Sequence, residues 1–413
     1  NCILIRDIEL KIKKKILVVG GTGFIGYHLS KHCLKKGWKV TSFSKNKPKE
    51  IRKLKLVNYI EGDLFFKKDL KKIKGNFDYV VNLGGYVDHF NKIRTHNSHY
   101  IGCKNLSIYF RKKKIKAFVQ MGSSGEYGIS NSPQKEIMTC NPQAIYSKSK
   151  FLATKHLVNE YKKYDFPMTV LRLYQAYGEK QDTNRLIPIV INSCIDGKNF
   201  DCSDGKQYRD FLHVSDVVSA IIKSLESKKT KGQIFNLGSG VPINVRFIIN
   251  FIKKKIGRGK PKFGKLKLRK EESLKIYPDI SKIKKTINWT PKVNFNQGIK
   301  RTIKFYVKEK EKKSFPLSAV IPVRKNSQRV KNKNLKKFYK KSLLHYKIEQ
   351  LKRIKLIENI IVNTDSEKAI KIAKKLKVNF FKRDKFYASS FCKNSDFWKY
   401  IAETTHSKNI LFI

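Results

Sequence analysis

Acidic residues are scarce in this chain. Across 413 residues, 32 Asp and Glu face 91 Lys and Arg, a formal charge of +59. Arginine is scarce as well, outnumbered by lysine 76 to 15. Because arginine is the side chain suited to bidentate contacts with bases and phosphates, and the lysines are spread over both halves of the chain, the composition argues against a specific nucleic-acid partner. It reads as lysine distributed over solvated faces, with non-specific polyanion binding at low salt as a by-product. No apolar run reaches the roughly 18 residues that mark a bilayer span, so no membrane segment is expected. The first fifteen residues contain lysine and lack the continuous apolar core of a secretory signal. The seven cysteines (Cys2, Cys33, Cys103, Cys140, Cys194, Cys202 and Cys392) form no C-x-x-C pair, and no histidines cluster at zinc spacing. No metal site is expected; the thiols read as reduced and structural, in a cytoplasmic protein. What remains is 40% hydrophobic residues, ample for real cores in two or three domains. The chain begins at Asn1 and ends at Ile413 inside an apparent strand, so both ends are expected to be cut.

The most informative stretch is GGTGFIG, Gly20 to Gly26. It follows the apolar run Ile16-Leu17-Val18-Val19 and leads into the periodic segment Tyr27 to Leu34. Strand, tight glycine turn, helix is the context of a dinucleotide site. Gly20 permits the turn, Gly23 lets the backbone approach a pyrophosphate, and Gly26 lets helix and strand pack closely, with the helix amino end facing the phosphate charge. Strands are expected at 15–20, 37–43, 56–60, 77–83 and 115–121, alternating with helices near 24–36, 98–113 and 143–164. Apolar strands separated by helices predict a parallel sheet. Gly37 is the expected C-cap of the first helix.

Further along, Phe118 to Ser124 reads as a strand ending in hydroxyls, followed by Tyr146-Ser147-Lys148-Ser149-Lys150. Tyr146 and Lys150 are four apart, one turn from each other on one helix face. A lysine ammonium there favours the phenolate, lowering a tyrosine pKa normally near 10 so that Tyr146 can exchange a proton with a substrate hydroxyl. Ser123 can hold the same oxygen. The plain alternative is a surface Tyr and Lys on an amphipathic helix; the dinucleotide turn and the serine-bearing strand end weigh against it.

On GGTGFIG at 20–26, GSSGEYG at 122–128, YSKSK at 146–150, LRLYQAYG at 171–178 and QYRDFLHVSDVV at 207–218, residues 15 to about 308 resemble an extended short-chain dehydrogenase/reductase of the nucleotide-sugar epimerase/dehydratase family. The resemblance implies a Rossmann-type doubly wound parallel sheet over 15–312, with a smaller substrate-binding portion mostly from 175 onward, after an extension at 1–14. It implies Ser123, Tyr146 and Lys150 as the catalytic set. It also implies a retained NAD or NADP that takes a hydride from a sugar carbon, usually C4, while Tyr146 removes the hydroxyl proton. The implied cofactor residues are Gly20, Gly23, Phe24, Ile25, Gly26, Ser44, Lys45, Asp63, Leu64 and Gly84, together with Tyr146 and Lys150. No acid follows the second strand until Glu50. Ser44 and Lys45 are therefore read as receiving a 2′-phosphate, which tips the expectation towards NADP(H), although a solvated loop lysine fits equally well. Where relatives carry two alanines, this chain has Gly84-Gly85.

On the substrate side the resemblance implies Ser124, Gln175, Arg185 (in Asn184 to Pro188) and Arg209 as contacts to a nucleotide-diphosphate sugar, with a homodimer as the assembly. For Arg209 the plain alternative is an ion pair with Asp210. His213 is read as structural, and Asp216 as the cap of a helix over 217–225. The expected reaction is nucleotide-sugar epimerisation, serving nucleotide-sugar or surface-polysaccharide biosynthesis. A 4-keto-sugar reductase is the alternative. Dehydration ranks below both, because dehydratase relatives place Asp-Glu directly after the catalytic Thr and this chain has Ser124-Gly125; a non-catalytic scaffold ranks lowest, since Ser123, Tyr146 and Lys150 are intact.

After a linker at 313–317, Ser318 to Val323 reads as an apolar strand feeding a basic loop. Two arginines and a lysine in one such loop can neutralise a triphosphate; a solvated basic loop is the alternative. With IPVRKNSQR at 321–329, KN at 333–334 and VNTDS at 362–366, residues 318–413 resemble the amino-terminal part of an acylneuraminate cytidylyltransferase. The implied nucleotide contacts are Arg324, Ser327, Arg329, Lys333 and Asn334, with CTP and Mg²⁺ as ligands of a complete domain only. The aspartates that hold Mg²⁺ in the family are not present, so this α/β unit is expected to be partial, open-ended and inactive alone, in a natural product that is bifunctional.

Overall fold

Ile16, Leu17 and Val18 are fully enclosed, which a strand achieves only when both faces of its sheet are covered. In the computed structural model, which describes residues 14–86, 91–267, 273–314, 317–325, 332–354, 356–389, 391–405, 407 and 409–413, this run is the centre of a parallel sheet. Its strands are β1 (Lys15–Val19), β2 (Lys39–Ser44), β3 (Val57–Glu61), β4 (Tyr79–Asn82), β5 (Ala117–Ser123), β6 (Met168–Leu173) and β7 (Gln233–Leu237). Their order is β7-β6-β5-β4-β1-β2-β3. Helices α1 (Phe24–Lys35), α2 (Gly102–Arg111), α3 (Ile145–Tyr164), α4 (Leu186–Ile195) and α5 (Val214–Glu226) belong to the same unit. Leu29 and Cys33 of α1 and Val217 and Ile221 of α5 fill one apolar layer with Ile16, Val18 and Val119. Leu106 and Phe110 of α2 and Ala153 and Leu157 of α3 fill the other, with Leu17, Val80 and Phe118. The fold is doubly wound, as the family resemblance implies.

The chain runs from β1 outward to β2 and β3, then returns to place β4 on the other side of β1. In such open sheets the crevice outside the strand ends at this reversal is where ligands bind. Helix α1 stops as expected: Gly37 takes φ 76, its amide donates to Leu34 O, and Trp38 N donates to Cys33 O, closing the last turn. The same unit carries a smaller sheet. There Tyr208–His213 pairs in parallel with Gln175–Tyr177 and Lys275–Ile276 and antiparallel with Pro242–Asn244.

The scarce carboxylates are shared. Glu226 accepts from both Lys14 (2.9 Å) and Lys36 (3.2 Å), and Asp182 pairs with both Lys49 (3.3 Å) and Arg52 (3.0 Å). Among the described residues, no helix is long and apolar enough to cross a membrane.

The chain divides into two compact units, Asn1–Tyr306 and Val307–Ile413. A helix, Phe295–Ser314, covers most of the stretch before the second unit's first strand. That unit carries a four-stranded parallel sheet of β8 (Leu317–Val323), β9 (Ile357–Thr364), β10 (Asn379–Lys382) and β11 (Asn409–Phe412), in the order β10-β9-β8-β11. Ala319, Ile321 and Val362 pack against Leu344, Ile348 and Leu351 of helix Leu343–Lys352 and Ala369 and Ala373 of helix Glu367–Lys375. On its outer strands Phe380, Phe381, Leu411 and Phe412 are exposed, with Trp398 edge-on to Phe412 at 4.3 Å.

Candidate functional site

The turn after β1 is built so that nothing but glycine fits. Gly20 sits at φ 75, and a Cβ there would stand 2.9 Å from the Leu83 backbone. A Cβ on Gly26 would lie 2.3 Å from Gly20 O and 2.6 Å from Gly21 Cα. The Gly20 carbonyl accepts from Gly23 N at 3.0 Å. Gly23 is the N-cap of α1, with no side chain over the first-turn amides, so the amino end of α1 is bare backbone. These residues wall a cavity of about 690 Å³ that also reaches Phe24, Ile25, Ser44, Lys45, Asp63, Leu64, Gly84, Met121 and Arg185. The volume, the bare helix end and the glycines fit a dinucleotide.

At one end of the cavity lie the close of β2 and the loop after β3. Ser44 Oγ accepts from Thr22 N at 3.4 Å. Lys45 Nζ donates to Asp63 Oδ2 at 2.9 Å, so two expected cofactor residues hold each other. Asp63 Oδ1 accepts from Phe65 N (3.0 Å), which fixes the carboxylate. Gln181 and Asp182, not foreseen from sequence, join Arg185 in this wall. Their loop is strapped down by Arg52, which is 5% exposed: its Nε donates to Lys180 O at 2.9 Å and its Nη2 pairs with Asp182. Burial works against the Asp182 charge, but Arg52 and Lys49 hold the carboxyl below its usual range.

The expected catalytic set lies next to Met121, a residue of the cavity wall. Ser123 ends β5, and its Oγ accepts from Gly125 N at 3.1 Å, leaving its own proton to donate. A Cβ on Gly125 would meet Ser147 Oγ at 2.5 Å and Ser123 Oγ at 3.4 Å, so the Ser123 turn lies against the start of α3 beside Tyr146. Lys150 is 4% exposed. Its Nζ donates to Met121 O at 2.7 Å and stands 5.9 Å from the Tyr146 ring centroid. Ser123, Tyr146 and Lys150 are not in the cavity wall itself; Met121 is.

The helix expected over 98–113 starts earlier, with Lys92–His96, and passes through a π-turn, Asn97–Ile101, into α2. It sets the His99 ring edge-on to Tyr146 at 4.9 Å, and such turns often mark functional sites. Gly85 has its reason here: a Cβ would fall 1.9 Å from His99 Cε1.

Glu126 is tied down beside Ser123. It is fully enclosed, accepting from Ser123 N (2.9 Å), Thr154 Oγ1 (2.9 Å) and Arg172 Nε (3.0 Å). Burial pushes the neighbouring Tyr127 phenol up to about 12, and its hydroxyl donates to Asn236 Oδ1 at 2.7 Å.

On the substrate side, Ser124 begins the short turn after Ser123, and Gln175 is exposed at the head of its strand. Arg209 is 8% exposed, and its Nη1 donates to Tyr208 O at 2.8 Å. It makes no ion pair with Asp210. That carboxylate accepts instead from Ser239 N (2.7 Å), Ser239 Oγ (2.9 Å) and Gly240 N (2.7 Å). Burial pushes Asp210 up to about 6 although these donors favour its charge. The capping expectation needs correction: α5 starts at Val214, and His213 caps it by accepting from Ser215 N. Asp216 lies in the first turn, where Oδ2 accepts from Val293 N at 2.9 Å.

In the second unit, Arg324 Nε donates to Ala388 O. Lys333 and Asn334 fall in a short 3₁₀ turn, and Asn334 lines a different cavity, with Leu344 and Tyr346, that Arg324 does not reach. Ser327 and Arg329 lie outside the described residues, as do 1–13 and part of the expected linker. Sequence reading missed Arg383, which is buried after β10 and donates to Asn363 Oδ1 at 2.6 Å and to Asn363 O at 3.0 Å.

Comparison with known proteins matches residues 16–238 to the model of the NAD dependent epimerase/dehydratase family and residues 318–390 to that of a cytidylyltransferase family. A putative UDP-glucose 4-epimerase of Methanocaldococcus jannaschii is 28% identical over 70% of this chain and 97% of its own length. CDP-abequose synthase of Salmonella muenchen is 24% identical over 71% and 98%. Among solved structures, dTDP-glucose 4,6-dehydratase of Bacillus anthracis in complex with NAD is similar with a TM-score of 0.66 and 25% identity, covering 72% of this chain and 98% of that one.

Proposed function

The chain belongs to the NAD dependent epimerase/dehydratase family, and we propose that within it the first unit is a nucleotide-sugar epimerase. A dinucleotide held against Gly20, Gly23 and Gly26 would supply hydride acceptance and return at a sugar carbon. The chain's own residues do the rest. Tyr146 takes the proton from the hydroxyl on that carbon, C4 in this reading, and gives it back. Lys150 holds positive charge beside Tyr146, and Ser123 donates its free proton to the same oxygen. Arg209, Gln175, Ser124 and Arg185 are proposed to hold the diphosphate, sugar and base.

The observation that carries epimerisation is the strap formed by Arg52 on the 178–185 loop. It fixes Gln181, Asp182 and Arg185 in the dinucleotide wall, which supports a cofactor retained while hydride leaves and returns. Dehydration is disfavoured by a second observation: both Glu126 oxygens are already engaged by Ser123, Thr154 and Arg172, so that carboxyl is not available to drive loss of water. The reductase reading keeps the same proton relay and differs only in net cofactor use.

Two measurements test this: mass spectrometry of the cofactor released from purified protein, and incubation with a panel of UDP-, dTDP- and CDP-sugars. Co-purified NAD or NADP with sugar interconversion and no net cofactor consumption is expected. Stoichiometric oxidation of NADPH would overturn epimerisation in favour of reduction. We further propose that 15–312 forms the catalytic domain, working in the cytoplasm as a homodimer. In the same proposal 318–413 is a cytidylyltransferase-like unit.

A further inference from the structure

Two buried amides stand on neighbouring strands. Asn82 ends β4 and Gln120 lies near the end of β5; they are register partners across the sheet, each 1% exposed. They share a face with Val80 and Phe118, which belong to the apolar layer under α2 and α3. A buried amide destabilises unless its bonds are made, and here they are made in one direction. Gly84 N, in the dinucleotide wall, donates to Asn82 Oδ1 at 3.1 Å. Asn82 Nδ2 donates to Gln120 Oε1 at 2.8 Å, and Cys103 Sγ donates to the same oxygen at 3.3 Å. Gln120 Nε2 donates to Met121 O at 3.1 Å, the carbonyl that accepts from Lys150 Nζ at 2.7 Å. Burial pushes the Cys103 thiol up to about 12, so it stays a donor. Both amides have oxygen and nitrogen committed, and flipping either would set like against like.

We propose that Gln120, oriented by Asn82, is a positioning residue for Lys150, coupling the placement of its ammonium to the Gly84 side of the cofactor cavity. Packing alone does not call for the pair, since Val80 and Phe118 occupy the same strand face without polar partners. The chain of bonds ends on the one carbonyl that fixes the lysine, and begins on a cavity-wall amide. The proposal rests on the reading of Lys150 as a cofactor and catalytic residue.

A double-mutant cycle on NAD⁺ affinity, read by isothermal titration of the full chain, tests it without a substrate. Gln120→Met keeps the length and removes both polar atoms. It should weaken NAD⁺ binding by about tenfold, the order for losing alignment of one charge-assisted contact, and should have no further effect in a Lys150→Ala background. Equal losses in both backgrounds would overturn the proposal, because Gln120 would then act without Lys150; so would parent-like affinity of Gln120→Met. If Gln120→Met does not fold, Asn82→Leu/Gln120→Met removes both amides together and enters the same cycle. Lys150→Ala alone separates the two ideas. A loss there with no effect of Gln120→Met sinks this proposal and leaves the lysine reading standing; no loss from Lys150→Ala sinks both.

Discussion

Replacing Gly26 by alanine should weaken dinucleotide binding through one misplaced methyl. The added Cβ would lie 2.3 Å from Gly20 O and 2.6 Å from Gly21 Cα, about 1 Å inside ordinary contact. The turn has little room to yield, because even a Cβ on Gly20 would stand 2.9–3.0 Å from the Leu83 and Gly84 backbone, and the Gly20 amide is tied to Phe43 O at 2.9 Å. Helix α1 must therefore tilt outward, at an overpacking cost of roughly 1–3 kcal/mol. The tilt moves the first-turn amides that face the cavity, and NAD⁺ affinity should fall at least tenfold, ~1.4 kcal/mol. Gly37→Ala is the matched control. It forces alanine to φ 76 with no atom within 4 Å of the new Cβ, so it should cost about 1–2 kcal/mol of strain and leave NAD⁺ binding alone. Titration calorimetry with thermal melts of both variants decides it. Parent-like affinity of Gly26→Ala, or an equal loss in Gly37→Ala, would refute the reasoning.

Tyr146→Phe should cut turnover on a competent nucleotide sugar by ~10²–10⁴ while sparing NAD⁺ binding; unchanged steady-state rates would sink the acid/base assignment. Titration should show NADP⁺ bound more tightly than NAD⁺, and Lys45→Asp should reverse the order, since it replaces the cation near Ser44 and sets a second carboxylate beside Asp63. Tenfold tighter NAD⁺ in the parent would contradict this. Limited proteolysis should cut within 317–413 before the first unit, because the sheet edges at Phe380–Phe381 and Leu411–Phe412 are exposed; equal protection of both units, followed by mass spectrometry, would count against it.

The sheet was largely legible in the sequence because its signals are local. Ile16 to Val19 is apolar on both faces, glycines punctuate its end, and the strands expected at 37–43, 56–60, 77–83 and 115–121 correspond to β2, β3, β4 and β5. The glycine turn was legible for the same reason. What escaped depends on residues far apart in the chain. Asp216 resembles a cap locally, but its carboxylate is drawn to Val293 N, while the backbone turns helical one step after His213. Nothing near Gly85 announces that His99 fills the space a side chain would take. Arg52 reads as one more surface cation until the 178–185 loop arrives over it. The Asn82–Gln120 pair exists only once β4 and β5 are in register. Propensity and period locate elements; who shares a proton or a carboxylate is settled by tertiary approach.

The doubling-up of Glu226 and Asp182 has a consequence for how this protein meets its ligands. With two cations claiming one carboxylate, and 91 cations for 32 acids, positive side chains far outnumber the carboxylates of this chain. The surface therefore behaves as a weak anion exchanger, gathering nucleotides around the whole molecule before any of them finds the cavity. At low ionic strength a measured affinity for NAD⁺ or a nucleotide sugar contains this diffuse component, which fades as the Debye length shrinks to ~8 Å near physiological salt. The part that survives added salt is the part that belongs to the Gly20–Gly26 turn and its surroundings.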